Sequence, residues 1–184
     1  MRRIVTGLFM SLDGVVDADG DWQFPYFDDE MASEIDLGDS HTGGVLMGRR
    51  SYEGYDRLRS EHPESPVVAF LDSTPKHVVS TTLSTLDWAG AHVVGGDVES
   101  EIRRLKEQPG GDLLLLGSPS LVRWLLLRGL LDELHVLVLP IIVGAGVRLF
   151  EDMANQQIPL RLTESRALRS GVLVLCYIPA GNDA

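Results

Sequence analysis

Three short stretches of this sequence end an apolar run in residues suited to holding an anion. "LLLLGSPS" stops at Gly117-Ser118-Pro119-Ser120, "VLMGRRSY" passes into Gly48-Arg49-Arg50-Ser51, and "VVSTTL" ends in Ser80-Thr81-Thr82. In the first, Gly117 permits a tight bend and close backbone approach. Ser118 suits a helix N-cap, and Pro119 suits the first helical position, where its missing N–H costs nothing. The free N–H groups and dipole of a helix beginning there favour an anion. By itself this stretch is also explained as an efficient strand-to-helix turn. In the second, two arginines stand at a helix start, a place the dipole makes unfavourable for cations. A guanidinium there can instead pair with a phosphate in a bidentate way. Three such strand ends imply one extended, phosphate-bearing ligand across the carboxyl edge of a sheet, where open α/β sheets bind ligands.

The elements that must position these residues follow from periodicity. "RIVTGLFMS", "GGVLMG", "KHVVST", "AHVVGG", "DLLLLG", "ELHVLVLPIIVG" and "VLVLCYIP" read as buried strands. Helical stretches lie between them. "FDDEMASEIDLG" carries acids in its first turn, and "RRSYEGYDRLR" follows the second strand. "SPVVAFLD" has Ser65 as an N-cap and Pro66 at the first helical position, and "DVESEIRRLKEQPGG" puts Val98, Ile102 and Leu105 on one face. The alternation implies an α/β domain with a mostly parallel sheet covered on both faces. The C-terminal part, "RLTESRALRSGVLVLCYIP", reads as antiparallel strands around a turn, so the sheet is mixed. The 184 residues fit one domain, 1–184, with a well-buried core.

Composition narrows the function. The 44% hydrophobic and 23% charged residues are those of an ordinary globular chain. A formal net charge of −11 disfavours nucleic acid and anionic membranes as partners. The N-terminus shows neither a signal peptide nor a membrane span, which makes the cytoplasm the expected compartment. Cys176 allows no intramolecular disulfide and sits in a strand pattern, as a small core residue would. His41, His62, His77, His92 and His135 lack metal-ligand spacing, so no metal is expected. No G-x-S-x-G elbow supports covalent acyl chemistry. Asp13, in "SLDGVV", precedes a glycine as turn residues often do.

Together, "VLMGRRSY", "VVSTTL", "SLDG" and "LLLLGSPSLVRWLLLRGLLDELHVLVLPIIVGAG" resemble the dihydrofolate reductase superfamily. The branch they are most similar to is the reductase domain of the riboflavin-biosynthesis deaminase/reductase proteins and its stand-alone relatives. The resemblance covers nearly the whole chain. It implies a three-layer fold with a mixed, mostly parallel, eight-stranded sheet flanked by helices, and NADPH as hydride donor. It assigns Gly48, Arg49, Arg50 and Ser51 to the 2′-phosphate and pyrophosphate, Ser80 and Thr81 to the 2′-phosphate, and Gly117, Ser118, Ser120 and Leu121 to the pyrophosphate. It places the segment of Asp13 beside the nicotinamide and substrate, which leaves Asp13 as either a site residue or a turn residue.

"DWQFPYFDDE" resembles dihydrofolate reductase itself, with a Trp, a Pro and an acid in the order that family uses. The match implies that Asp28, with Asp29 as competitor, binds the substrate and supports protonation, with Trp22, Phe24 and Phe27 as its apolar surroundings. These acids are equally suited to a helix start. Gly7 replaces the lysine usual in the riboflavin reductases, and Leu116 and Ser118 replace the acid and second glycine of their Gly-Gly-Pro turn. A single cysteine cannot build the deaminase zinc site, so the chain reads as a reductase-like domain alone.

The expected function is an NADPH-dependent reductase moving hydride to a C=N or C=O bond of a small heterocyclic or sugar-like substrate. The alternatives are the riboflavin-pathway 5-amino-6-(5-phosphoribosylamino)uracil reductase and a non-catalytic NADPH-binding protein. The long apolar stretch "DELHVLVLPIIVGAG" suggests a homodimer that buries Leu139–Val143, as relatives in the riboflavin branch pair, or else an internal strand buried on both faces.

Overall fold

The apolar runs become eight strands, and five helices occupy the stretches between them. The computed structural model describes residues 1–17, 21–35, 41–153 and 156–180. Its strands are β1 (Ile4–Ser11), β2 (Thr42–Gly48), β3 (Lys76–Val79), β4 (Ala91–Val94), β5 (Asp112–Leu116), β6 (Glu133–Leu139), β7 (Leu160–Ala167) and β8 (Leu173–Pro179). Its helices are α1 (Asp29–Glu34), α2 (Arg49–Glu61), α3 (Pro66–Ser73), α4 (Val98–Glu107) and α5 (Pro119–Leu127), with a 3-10 segment at Asp21–Tyr26. The strands form one sheet in the order β4-β3-β2-β5-β1-β6-β8-β7. β2 runs parallel to β3 and β5, β3 to β4, and β1 to β6. β8 is antiparallel to both β6 and β7. This is the mixed, mostly parallel sheet with flanking helices that the pattern implied.

The described residues group into two compact units, 1–4 with 41–118 and 5–35 with 119–180. In the first unit, Val45, Leu46 and Met47 of β2 are all fully buried. Consecutive buried residues require cover on both faces, which parallel strands receive from their crossover helices. Val45, Met47 and Val78 pack with Tyr52 of α2, Val68 and Leu71 of α3, and Trp88. Ser65 occupies the N-cap position of α3 but makes no side-chain capping bond, so Pro66 marks the start. Asp97 does cap α4, accepting from the Ser100 N–H at 3.2 Å. Ile102 and Leu105 of that helix are buried.

In the second unit, Met31 of α1 packs with Leu137, Leu139, Leu168, Val172 and Val174. Helix α1 is shorter than the stretch 27–38 expected for it, and residues 36–38 lie outside the described residues. β6 stops at Leu139, before a proline that has no N–H to add to the ladder. β7 and β8 close as a hairpin in which Gly171, at φ 85°, provides the left-handed turn residue. Cys176 is buried, and burial pushes its thiol pKa up. Among the described residues no helix is long and apolar enough to cross a membrane.

Candidate functional site

In the first unit β3, β2 and β5 are parallel neighbours, with Gly48 registered opposite Val79 and Leu46 opposite Leu115. Their carboxyl ends therefore share one edge, with adjacent strands about 4.8 Å apart. The three turns picked out by residue type are brought together there. Gly48 is the N-cap residue of α2 and offers no side-chain cap. The first N–H groups of α2 thus have no side-chain acceptor from the cap position. Arg49 donates to Glu53 at 2.9 Å across one helical turn. Arg50 is exposed and has no ion pair or hydrogen bond among the described residues.

The turn after β5 differs from the expected N-cap. Ser118 has φ 57°, in the left-handed region rather than the extended one an N-cap uses, and Gly117 before it has φ 60°. The Ser118 hydroxyl accepts from the Gly48 N–H at 2.7 Å and lies 2.6 Å from the Ser51 hydroxyl. It is buried, at 8% exposure. A Cβ at Gly48 would come within 3.0 Å of Ser118 Oγ, and one at Gly117 within 3.0 Å of Ser51 Oγ. The two turns therefore interlock, and glycine at both positions is what lets them approach.

Ser80 is buried at the end of β3, and its hydroxyl accepts from the Thr82 and Leu83 N–H groups at 3.1 and 3.0 Å. It shapes the turn that leaves Thr81 exposed. Gly95 adds a fourth strand end: a Cβ there would meet Ser80 O at 3.2 Å. Residue types do not single out Gly95, which in the sequence is only the tail of a strand pattern; its place follows from the β3–β4 pairing.

In the second unit the residues expected near a substrate fall into two groups. Asp13 leaves β1 in a turn that Ser11 ties together, its hydroxyl donating to Asp13 at 2.7 Å and accepting from the Val15 N–H at 2.9 Å. The Asp13 carboxylate also accepts from the Val143 and Gly144 N–H groups at 3.0 and 2.9 Å. Arg148 lies 3.6 Å from it. These bonds, the Ser11 hydroxyl first and the Val143 N–H next, hold its pKa down to about 2. Asp17 accepts from the Val147 N–H at 3.0 Å. Segment 141–149 is thereby strapped along segment 12–17, with backbone bonds from Leu12 to Ile141, Val16 to Val147 and Leu149 to Gly14. Asp17 and Arg148 were not legible as functional residues, because only the fold sets these segments side by side.

The second group is aromatic. Phe27 meets Phe9 of β1 edge-to-face at 5.3 Å between centroids and Phe24 at 6.1 Å. Phe24 and Phe27 are exposed. Trp22 is half-buried against the Met31 cluster and donates to the Asp17 carbonyl at 3.2 Å. Asp28 takes the N-cap position of α1, its Oδ1 accepting from the Met31 N–H at 2.8 Å. Asp29 stands in the first turn, and Glu30 is drawn off to the Arg169 N–H and guanidinium. Ser120 is exposed and Leu121 buried in the first turn of α5. At Gly7, where the riboflavin reductases usually carry a lysine, a Cβ would meet nothing within 4 Å.

The model of the RibD C-terminal domain family matches residues 2–174. The chain belongs to that family. A relative in Bacillus subtilis (strain 168), the uncharacterized protein YyaP, is 30% identical over 96% of this chain and 94% of its own length. Among solved structures, a protein of Shewanella sp. PV-4 named for riboflavin biosynthesis superposes with a TM-score of 0.76 at 20% identity, covering 98% of this chain and 99% of that one. Dihydrofolate reductase from Enterococcus faecalis, solved with NADP(H), superposes with a TM-score of 0.63 at 16% identity, covering 98% and 97%. The sheet and helices of this family member are thus those of the dihydrofolate reductase-like fold.

Proposed function

We propose that this chain is an NADPH-dependent reductase that moves hydride to a C=N or C=O bond of a small heterocyclic or sugar-like substrate. The observation that carries the reading is the convergence of Gly48, Ser51, Gly117 and Ser118 beside the uncapped start of α2, in a member of the RibD C-terminal domain family. The residues fit a dinucleotide phosphate: two glycines let the turns after β2 and β5 close on each other, and a helix start supplies N–H donors. The turn of Gly48 and Ser51 and the turn of Gly117 and Ser118 would face the pyrophosphate, with Ser51 and the first N–H groups of α2 as donors. Arg49, Arg50, Ser80 and Thr81 would hold the 2′-phosphate, with Arg50 the guanidinium not already committed to a carboxylate. NADPH, when bound, supplies the hydride.

On the second unit Trp22, Phe24 and Phe27 offer apolar surface to a substrate ring. Asp28 keeps one carboxylate oxygen free of hydrogen bonds and is our choice for the group that delivers or orients the proton. Asp13, held as an anion by several donors, positions the strap rather than giving up a proton. The test has two arms. Titration by protein fluorescence should show NADPH binding about 10- to 100-fold more tightly than NADH, the worth of a charge-assisted bond. Equal affinities remove the 2′-phosphate role. Steady NADPH consumption with a candidate substrate separates a reductase from a protein that only binds the nucleotide.

A further inference from the structure

Ser118 is the one member of the cradle whose backbone is unfavourable for its residue type. A serine at φ 57° sits where glycine is preferred. Strain of this kind persists only when surrounding bonds hold it, and here both bonds run from one hydroxyl. Ser118 Oγ accepts from the Gly48 N–H at 2.7 Å, a donor whose direction is set by the backbone. Its other partner is Ser51 Oγ at 2.6 Å. Ser118 is buried and Ser51 half-buried, so both bonds are partly shielded from water.

We propose that Ser118 is a positioning residue that acts through Ser51, setting the Ser51 hydroxyl as an outward donor to a phosphate oxygen. The inference rests on the cofactor reading above and deepens it. The Gly48 N–H fills one of the two acceptor sites on Ser118 Oγ, and either hydroxyl can donate across the Ser118–Ser51 contact. In the proposed arrangement the Ser118 proton goes to Ser51 Oγ, which leaves the Ser51 proton to point away from the pair. So assigned, the chain Gly48 N–H to Ser118 O–H to Ser51 O–H runs in one direction and ends in a donor. Each bond polarises the next, and an anion facing Ser51 strengthens all three. The polarity selects a phosphate and not a cation. Ser118 thus does through its side chain what a glycine at the same position could not do.

The experiment uses the full chain and four variants: Ser51→Ala, Ser118→Ala, Ser118→Gly and Ser51→Ala/Ser118→Ala. The probes are NADPH and inorganic pyrophosphate. Their affinities are read alongside Tm and the exchange rate of the Gly48 amide proton without ligand. Ser118→Ala should speed Gly48 exchange and weaken NADPH binding about tenfold, the scale of one hydrogen bond to a charged group. The double variant should bind no more weakly than Ser51→Ala alone. Ser118→Gly relieves the backbone but lacks the hydroxyl, so it should bind like Ser118→Ala while regaining Tm. Additive losses in the double variant, restored affinity in Ser118→Gly, or unchanged Gly48 exchange in Ser118→Ala would each overturn the proposal. If the unaltered chain binds pyrophosphate with this coupling but not NADPH, the cofactor reading fails and the donor chain stands. If it binds neither, both fall.

Discussion

The two candidate acids differ in what already holds them. Asp28 spends one oxygen on capping α1 and stays exposed. Asp28→Asn preserves a good cap, so the melting temperature should hold. Turnover should drop about 10²–10⁴-fold, the usual worth of general acid–base help, with NADPH affinity unchanged. Asp28→Ala should in addition cost about 1 kcal/mol of stability in a denaturant titration. Unchanged turnover in Asp28→Asn would leave the residue as a cap alone. Asp13 makes a pH-dependent contribution of a definite sign. Its pKa is lowered in the folded chain, from the ordinary 3.8 to about 2. Stability from the ionised carboxylate is therefore fully present above about pH 4 and is lost as pH falls through about 2. The Tm gap between the unaltered chain and Asp13→Asn should be widest at neutral pH and should close between about pH 4 and pH 2.

At the scale of elements, the strap 141–149 depends on close approach as much as on charge. Gly146 has φ 124°, and a Cβ there would come within 2.7 Å of Asp17 Oδ1 and 2.8 Å of Val15 Cγ1. Gly146→Ala therefore meets both a backbone conformation and a contact that alanine does not tolerate. It should cost about 1–3 kcal/mol. Amide exchange at Val147, whose N–H donates to Asp17, should quicken before exchange in the β6–β8 ladder does. Uniform quickening would mean that the strap is not a separate opening unit. Strand β6 shows the same dependence on neighbours. It lies between β1 and β8, and Leu137, Val138 and Leu139 are buried within the chain itself. That accounts for the apolar run as far as Leu139, where β6 ends.

For the molecule as a whole, assembly is the open expectation that the burial of β6 refines. Of the stretch expected at a dimer interface, Leu139 is already buried, while Ile142 is 72% exposed. We propose that a homodimer, if it uses this stretch, buries Ile142. Light scattering at micromolar concentration should report twice the mass of the chain, and Ile142→Asp should return it to the mass of one copy. A single-chain mass without the substitution ends the proposal. The net charge of −11 also sets a condition on the cradle. An anionic ligand must be met by local donors against an unfavourable mean field, and Arg50 with the N–H groups of α2 are suited to meet it.

The alternation of apolar runs with helical stretches determined the sheet, because each strand pattern carries its period locally and each crossover has to cover a face. It also determined which strand ends carry anion-binding residue types, since glycine, serine and arginine at a helix start act through their own backbone neighbourhood. Helix α1 is shorter than its sequence pattern because the acids of 28–30 mark a start and nothing local marks its end. Tertiary structure alone decided the rest. Local pattern makes Ser118 a cap for the helix that follows it, yet its hydroxyl goes to Gly48 and Ser51, some 70 residues earlier in the chain. Sequence makes Asp13 a turn residue or a site residue, yet its carboxylate holds a strap 130 residues later. Both are hydrogen bonds between segments that become neighbours only when parallel strands pair, and no local pattern records which distant N–H or hydroxyl a side chain will face.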